Sequence, residues 1–139
     1  MKYILIIAFL TFNLNLFAQS GDYIRRDETK TGQVLEWKLS LNPDGTFLYN
    51  FYRNLGNPNL EENFYGKGKW KSNKSLIFFL VDDKNDIDKT HTLNFSNSKA
   101  RINSKSSRDK STRVIKTSLR FYDSKLSAIK GLELFKKEN

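Results

Sequence analysis

The chain has 139 residues, a length that fits one domain. With no cysteine and one histidine, it excludes a disulfide scaffold, a lipid anchor on cysteine and any metal site built from several Cys or His ligands. The net charge is +9 and unevenly placed: residues 22–98 carry 11 Lys and Arg against 11 Asp and Glu, whereas residues 99–139 carry 12 against 4.

Residues 1–20 read as a secretory signal peptide. Lys2 supplies the positive start, residues 3–16 are apolar, and the small residues around Ala18 and Ser20 suit cleavage. The alternative, a membrane anchor, is disfavoured because Asn13 and Asn15 interrupt a run already shorter than the ~20 residues a spanning helix needs. The product, residues 21–139, is expected to be one exported domain, periplasmic or secreted, with no integral membrane segment after cleavage.

Residues 22–32 are polar, show no clear period and read as a lead-in loop with at most a short edge strand. In residues 34–42, Leu35, Trp37, Leu39 and Leu41 alternate with Glu36, Lys38, Ser40 and Asn42, so one face of a strand is apolar. Pro43, Asp44 and Gly45 then make a turn: proline pre-sets φ, aspartate bonds nearby backbone and glycine accepts φ > 0. Phe47, Tyr49 and Phe51 resume the alternation, which predicts an antiparallel hairpin. A third strand over 64–71 carries Phe64, Gly66, Gly68 and Trp70 on one face, and its glycines suggest a bend. The connection over 53–63 is long for a hairpin and is a candidate ligand-flanking loop.

Residues 74–81 are apolar on both faces, so something is expected to cover the outer one. The acidic run 82–88 lacks the spacing and the glycine of a helix-flanked calcium loop and reads as an ordinary turn. A strand over 90–96 would place His91, Leu93 and Phe95 inward. The lone histidine there is expected to be structural, or to bond a ligand in a cavity. Ala100 and Ile102 suit a short strand, and the serine-rich, basic stretch after it reads as a hairpin tip carrying Lys105, Arg108 and Lys110. A strand over 112–122 would point Ile115, Thr117, Leu119 and Phe121 inward, and residues 132–136 would close the sheet after a turn or short helix.

About eight strands with short connections and no long helix make an all-β, antiparallel up-and-down meander, most simply a small barrel. The hairpin Leu39-Ser40-Leu41-Asn42-Pro43-Asp44-Gly45-Thr46-Phe47, followed by Gly66-Lys67-Gly68-Lys69-Trp70 and the strand at 76–81, resembles the small lipocalin-like (calycin-type) domains of secreted proteins in Gram-negative bacteria. Gly68-Lys69-Trp70 follows two strands rather than opening the first, so the resemblance is to the wider class. It implies a barrel open at one end, in families that often hold small apolar ligands.

On this reading the ligand-facing residues are Trp37, Tyr49, Phe51, Trp70, His91 and Phe121, with Phe47, Phe95 and Leu119 completing the interior. A packed interior is the competing expectation. No nucleophile motif, metal set or cofactor motif is present, so a non-enzymatic binding protein is expected. The alternative function is a surface module whose basic final third, through Lys105, Arg108 and Lys110, meets anionic lipid, polysaccharide or a protein. Nucleic acid is not expected, because the cations are not interleaved with aromatic residues.

Overall fold

In the computed structural model, residues 18–56 and 60–138 are described. Most of the signal-peptide segment, residues 1–17, lies outside them, as do residues 57–59 of the long connection. Eight strands follow in order: β1 (Gly21–Glu28), β2 (Val34–Leu41), β3 (Thr46–Asn54), β4 (Glu61–Asn73), β5 (Leu76–Leu80), β6 (Lys99–Asn103), β7 (Ser118–Asp123) and β8 (Glu133–Lys136). Each pairs antiparallel with the next, and β1 also pairs with β8, so the sheet closes into an up-and-down barrel.

The β2–β3 turn forms as its residues require. Gly45 has a φ of 87°, and the Thr46 amide donates to the Asp44 carboxylate at 2.9 Å. Trp70 pins this turn from β4, its indole N–H donating to the Asn42 carbonyl at 3.0 Å. Trp70 and Phe47 belong to one buried core, and Trp37 packs against it half-buried.

Three expectations need correction. Residues 21–28 are a full strand, hidden from periodicity because its inward positions are Tyr23, Arg25 and Asp27. Only Tyr23 enters the core, and an eight-residue ladder to β2 holds the rest. Residues 91–95 are not a strand. β5 is so short that it pairs only with Lys69–Asn73 of β4, and the segment beyond it meets β4 through one backbone bond, Leu93 N–H to Tyr65 O at 3.0 Å. The Asp88 carboxylate accepts the amides of Thr90 and His91, and Asn94 accepts that of Ser96, so local turns break the alternation.

Residues 112–117 are likewise not strand, because β6 ends opposite Ser118 and offers nothing to pair with. Val114 and Ile115 are consequently exposed. The inward glycines of β4, expected to mark a bend, are sites of close approach. A Cβ on Gly66 would lie 2.6 Å from the Phe95 ring, and one on Gly68 would lie 2.4 Å from the Leu80 carbonyl oxygen.

The acidic run is a turn, as expected: Asp82 accepts from Lys84 N–H and from the Asn85 side chain, which holds its carboxyl below the usual range. The outer face of β5 is covered only in part, since Leu76 and Phe78 are half-buried and Leu80 is exposed.

Candidate functional site

The strand register sorts the inward side chains of β1 to β4 into rows. From the open end they run Asp27–Leu35–Arg53–Glu62, then Arg25–Trp37–Phe51–Phe64, then Tyr23–Leu39–Tyr49–Gly66, then Gly21–Leu41–Phe47–Gly68. The two inner rows are filled. Phe95 occupies the space above Gly66 and meets Phe47, Tyr49, Phe79 and Phe121 at ring separations of 4.8 to 6.1 Å.

The second row is a continuous aromatic wall. Trp37 stacks on Phe51 at 5.3 Å, and Phe51 stacks on Phe64 at 6.0 Å, with interplanar angles near 20°. A guanidinium covers each end, Arg25 over Trp37 and Arg53 over Phe64, both at 5.5 Å. Each arginine is also paired, Arg25 with Asp27 at 3.1 Å and Arg53 with Glu62. The latter bond holds the Glu62 carboxyl below its ordinary value.

Facing the wall is the turn between β7 and β8. The Ser124 hydroxyl accepts the Leu126 amide, and the Leu126 carbonyl accepts the amides of Ile129 and Lys130, which folds Leu126 and the buried Ile129 inward. Between wall and turn lies a cavity of about 440 Å³, with Leu93 at its side and Tyr49 among its lining residues. A depression of about 570 Å³ beside β1 and β8 is lined mainly by charged side chains and lacks such a wall.

Of the residues expected to face a ligand, Trp37, Tyr49 and Phe51 line this cavity. Trp70 and Phe121 do not; both sit in the filled core. His91 is carried away from the barrel interior: its Nδ1 lies 3.0 Å from the Asp88 carboxylate, and its ring is 6.0 Å from Tyr65. The same carboxylate pairs with Lys67 at 3.3 Å.

Sequence reasoning placed Arg53 in the ligand-flanking connection and Leu93 inward without giving either a ligand contact, and it missed Phe64 and the residues of the 126–129 turn as ligand-facing. Phe64 was within reach, because it shares the inward face of β4 with Trp70. The turn was not, since nothing in its spacing says that it folds over the barrel.

Lys105, Arg108 and Lys110 lie on the loop joining β6 to β7. Lys105 donates to the Ser111 carbonyl at 2.5 Å and is half-buried, Asp109 pairs with Arg113 at 2.6 Å, and Arg108 and Lys110 are exposed. On the barrel beside it, Phe78 lies between Lys71 and Lys99, Leu76 lies beside Arg101, and Arg101 stands directly opposite Arg120.

Among the described residues no group of three or more His, Cys, Asp or Glu is placed to hold a metal ion, and no helix is long and apolar enough to cross a membrane. No family model, curated protein or solved structure matches the chain significantly.

Proposed function

We propose that the chain is an exported, non-enzymatic, lipocalin-like binding protein that holds a small apolar or amphipathic ligand at the barrel mouth. The observation that carries this reading is the unfilled cavity of about 440 Å³ against the Trp37–Phe51–Phe64 wall. Ligand sites are typically ~300–1,000 Å³, mostly apolar, with a few placed polar groups. The filled rows below restrict the ligand to the mouth, so a slim or flat molecule suits it better than a long chain running down the axis. Export rests on the leader pattern of residues 1–20.

Titration with a neutral naphthylamine dye tests the site. One saturable binding site is expected. Phe51→Ala removes the centre of the wall and should weaken binding about 5-fold or more, in line with ~1 kcal/mol or more for a lost aromatic contact. Ala128→Trp, at an exposed position on the facing turn, should block the mouth without disturbing the core. Unchanged binding in both variants would refute the assignment.

A second reading is supported by the outer face of β4 to β7. Lys69, Lys71, Lys99, Arg101 and Arg120 surround the Leu76–Phe78–Leu80 stripe, and none of the five is in an ion pair among the described residues. Directly opposed like charges on neighbouring strands are unfavourable, so the Arg101–Arg120 pair favours an anionic partner. An apolar stripe among cations suits an anionic lipid surface. Replacing Lys105, Arg108 and Lys110 by serine should weaken retention on phosphatidylglycerol vesicles at low salt and leave the melting temperature nearly unchanged. Equal retention of variant and parent across a salt series would return Lys105, Arg108 and Lys110 to a solvating role.

A further inference from the structure

The barrel buries two tyrosines deeply, Tyr23 and Tyr49, at 0% and 2% exposure. In the full chain the Tyr23 hydroxyl donates at 2.8 Å to the carbonyl of Gln19, a residue of the expected leader, and Tyr23 does not line the mouth cavity. Tyr49 differs. Its ring packs on Phe95 at 4.8 Å, it lines the mouth cavity, and its hydroxyl has no hydrogen-bond partner among the described residues. Nor is that oxygen sealed into the core, where it would stand as a buried unsatisfied atom beside Gln19 Oε1. It is the polar group at the floor of a mostly apolar slot whose other polar lining residues are Arg53, held by Glu62, and Ser127 on the exposed part of the facing turn.

A hydroxyl that is nearly buried and opens only on a cavity takes its hydrogen bond from whatever fills that cavity, because an unmade bond costs more than a made one gains. We infer that the Tyr49 hydroxyl is the polar anchor of the ligand site, and that the ligand enters with a neutral hydrogen-bonding head, a phenol, alcohol or ketone, innermost and lays a flat apolar body along Trp37, Phe51 and Phe64. The inference rests on the mouth being a ligand site.

Three features select a neutral head. The register places Arg25 and Arg53 in rows nearer the open end than Tyr49. Both guanidiniums are already held by Asp27 and Glu62, so a carboxylate at the floor would lack a cation. Burial also pushes the Tyr49 phenol up, so the hydroxyl stays neutral at ordinary pH and meets the ligand as a neutral group. The hydroxyl is both donor and acceptor, so it accommodates an oxygen of either kind.

The test compares naphthalene, 2-naphthol and 2-naphthoate as probes of matching shape, each competing with the naphthylamine dye for the parent protein and for Tyr49→Phe. One net hydrogen bond is worth about 2- to 10-fold in affinity. The parent should therefore bind 2-naphthol tighter than naphthalene by that factor and 2-naphthoate more weakly than either. In Tyr49→Phe the preference for 2-naphthol over naphthalene should vanish while naphthalene affinity stays the same. The free variant should melt no lower than the parent, since the hydroxyl it loses has no protein partner. Equal affinities of naphthalene and 2-naphthol in both proteins would overturn the role of Tyr49 and leave the mouth as an apolar site. Failure of all three probes to displace the dye, together with dye binding that Ala128→Trp does not block, would overturn the mouth reading itself.

Discussion

Gly66 offers the sharpest test of how the interior is built. A Cβ at this position would lie 2.6 and 2.8 Å from two atoms of the Phe95 ring and 3.2 Å from the Leu93 carbonyl oxygen. Phe95 is fully buried and boxed by Phe47, Tyr49, Phe79 and Phe121, so it has nowhere to swing. Gly66→Ala gains ~0.5–1 kcal/mol from replacing glycine inside a strand, against ~1–3 kcal/mol for overpacking, so a net loss of about 1–2 kcal/mol is expected. Phe95→Ala alone should cost about 3–5 kcal/mol by emptying a large aromatic site. With the ring gone, the two closest clashes disappear and the tight 3.2 Å approach to the Leu93 carbonyl oxygen needs a shift of only a few tenths of an ångström. The double variant should therefore be more stable than the sum of the singles implies, by about 1 kcal/mol or more. Urea unfolding followed by circular dichroism measures all three differences. Additivity within about 0.3 kcal/mol would show that the Gly66 space is not what admits Phe95.

Trp70→Ala should cost about 3–5 kcal/mol, since it empties the far end of the core and leaves the Asn42 carbonyl without its indole donor; a loss under 1 kcal/mol in chemical denaturation would refute that placement. Stability should also fall in acid. The carboxyls of Asp44, Glu62, Asp82, Asp88 and Asp109 are all held below their ordinary values, Asp88 chiefly by the His91 amide. The unfolded chain therefore takes up protons first. Their contribution is complete above the ordinary values of 3.8 and 4.5 and is lost progressively as pH falls below them toward the lowered folded-state values, which a melting series from pH 6 to 2 would show. In alkali the sign reverses for the buried phenols: burial pushes Tyr23 up to about 12 and raises Tyr49 as well. Stability should hold below pH 10, the unfolded value, and decline above it, and less steeply in Tyr49→Phe. A flat melting temperature from pH 9 to 11.5 would contradict the burial of these hydroxyls.

What the sequence determined by itself is the part of the barrel written in period two. Residues 34–41 and the strand after the Pro43-Asp44-Gly45 turn alternate cleanly because one face is core and the other solvent, so register, turn and inward set follow from local chemistry. The wall residues Trp37 and Phe51 were legible for the same reason. Three things were decided only by the closed sheet. β1 is a strand because β2 and β8 both pair with it, although only Tyr23 of its inward residues is core. The segment at 91–95 lost its strand because Asp88 and Asn94 offered its amides nearer partners, which turned His91 out, while Phe95 kept the inward place expected of it. The cavity itself exists because Phe95 fills the space beside Gly66 and no further, and because the turn at 126–129 folds across the mouth. Both depend on contacts between residues far apart in the chain, which no local pattern encodes.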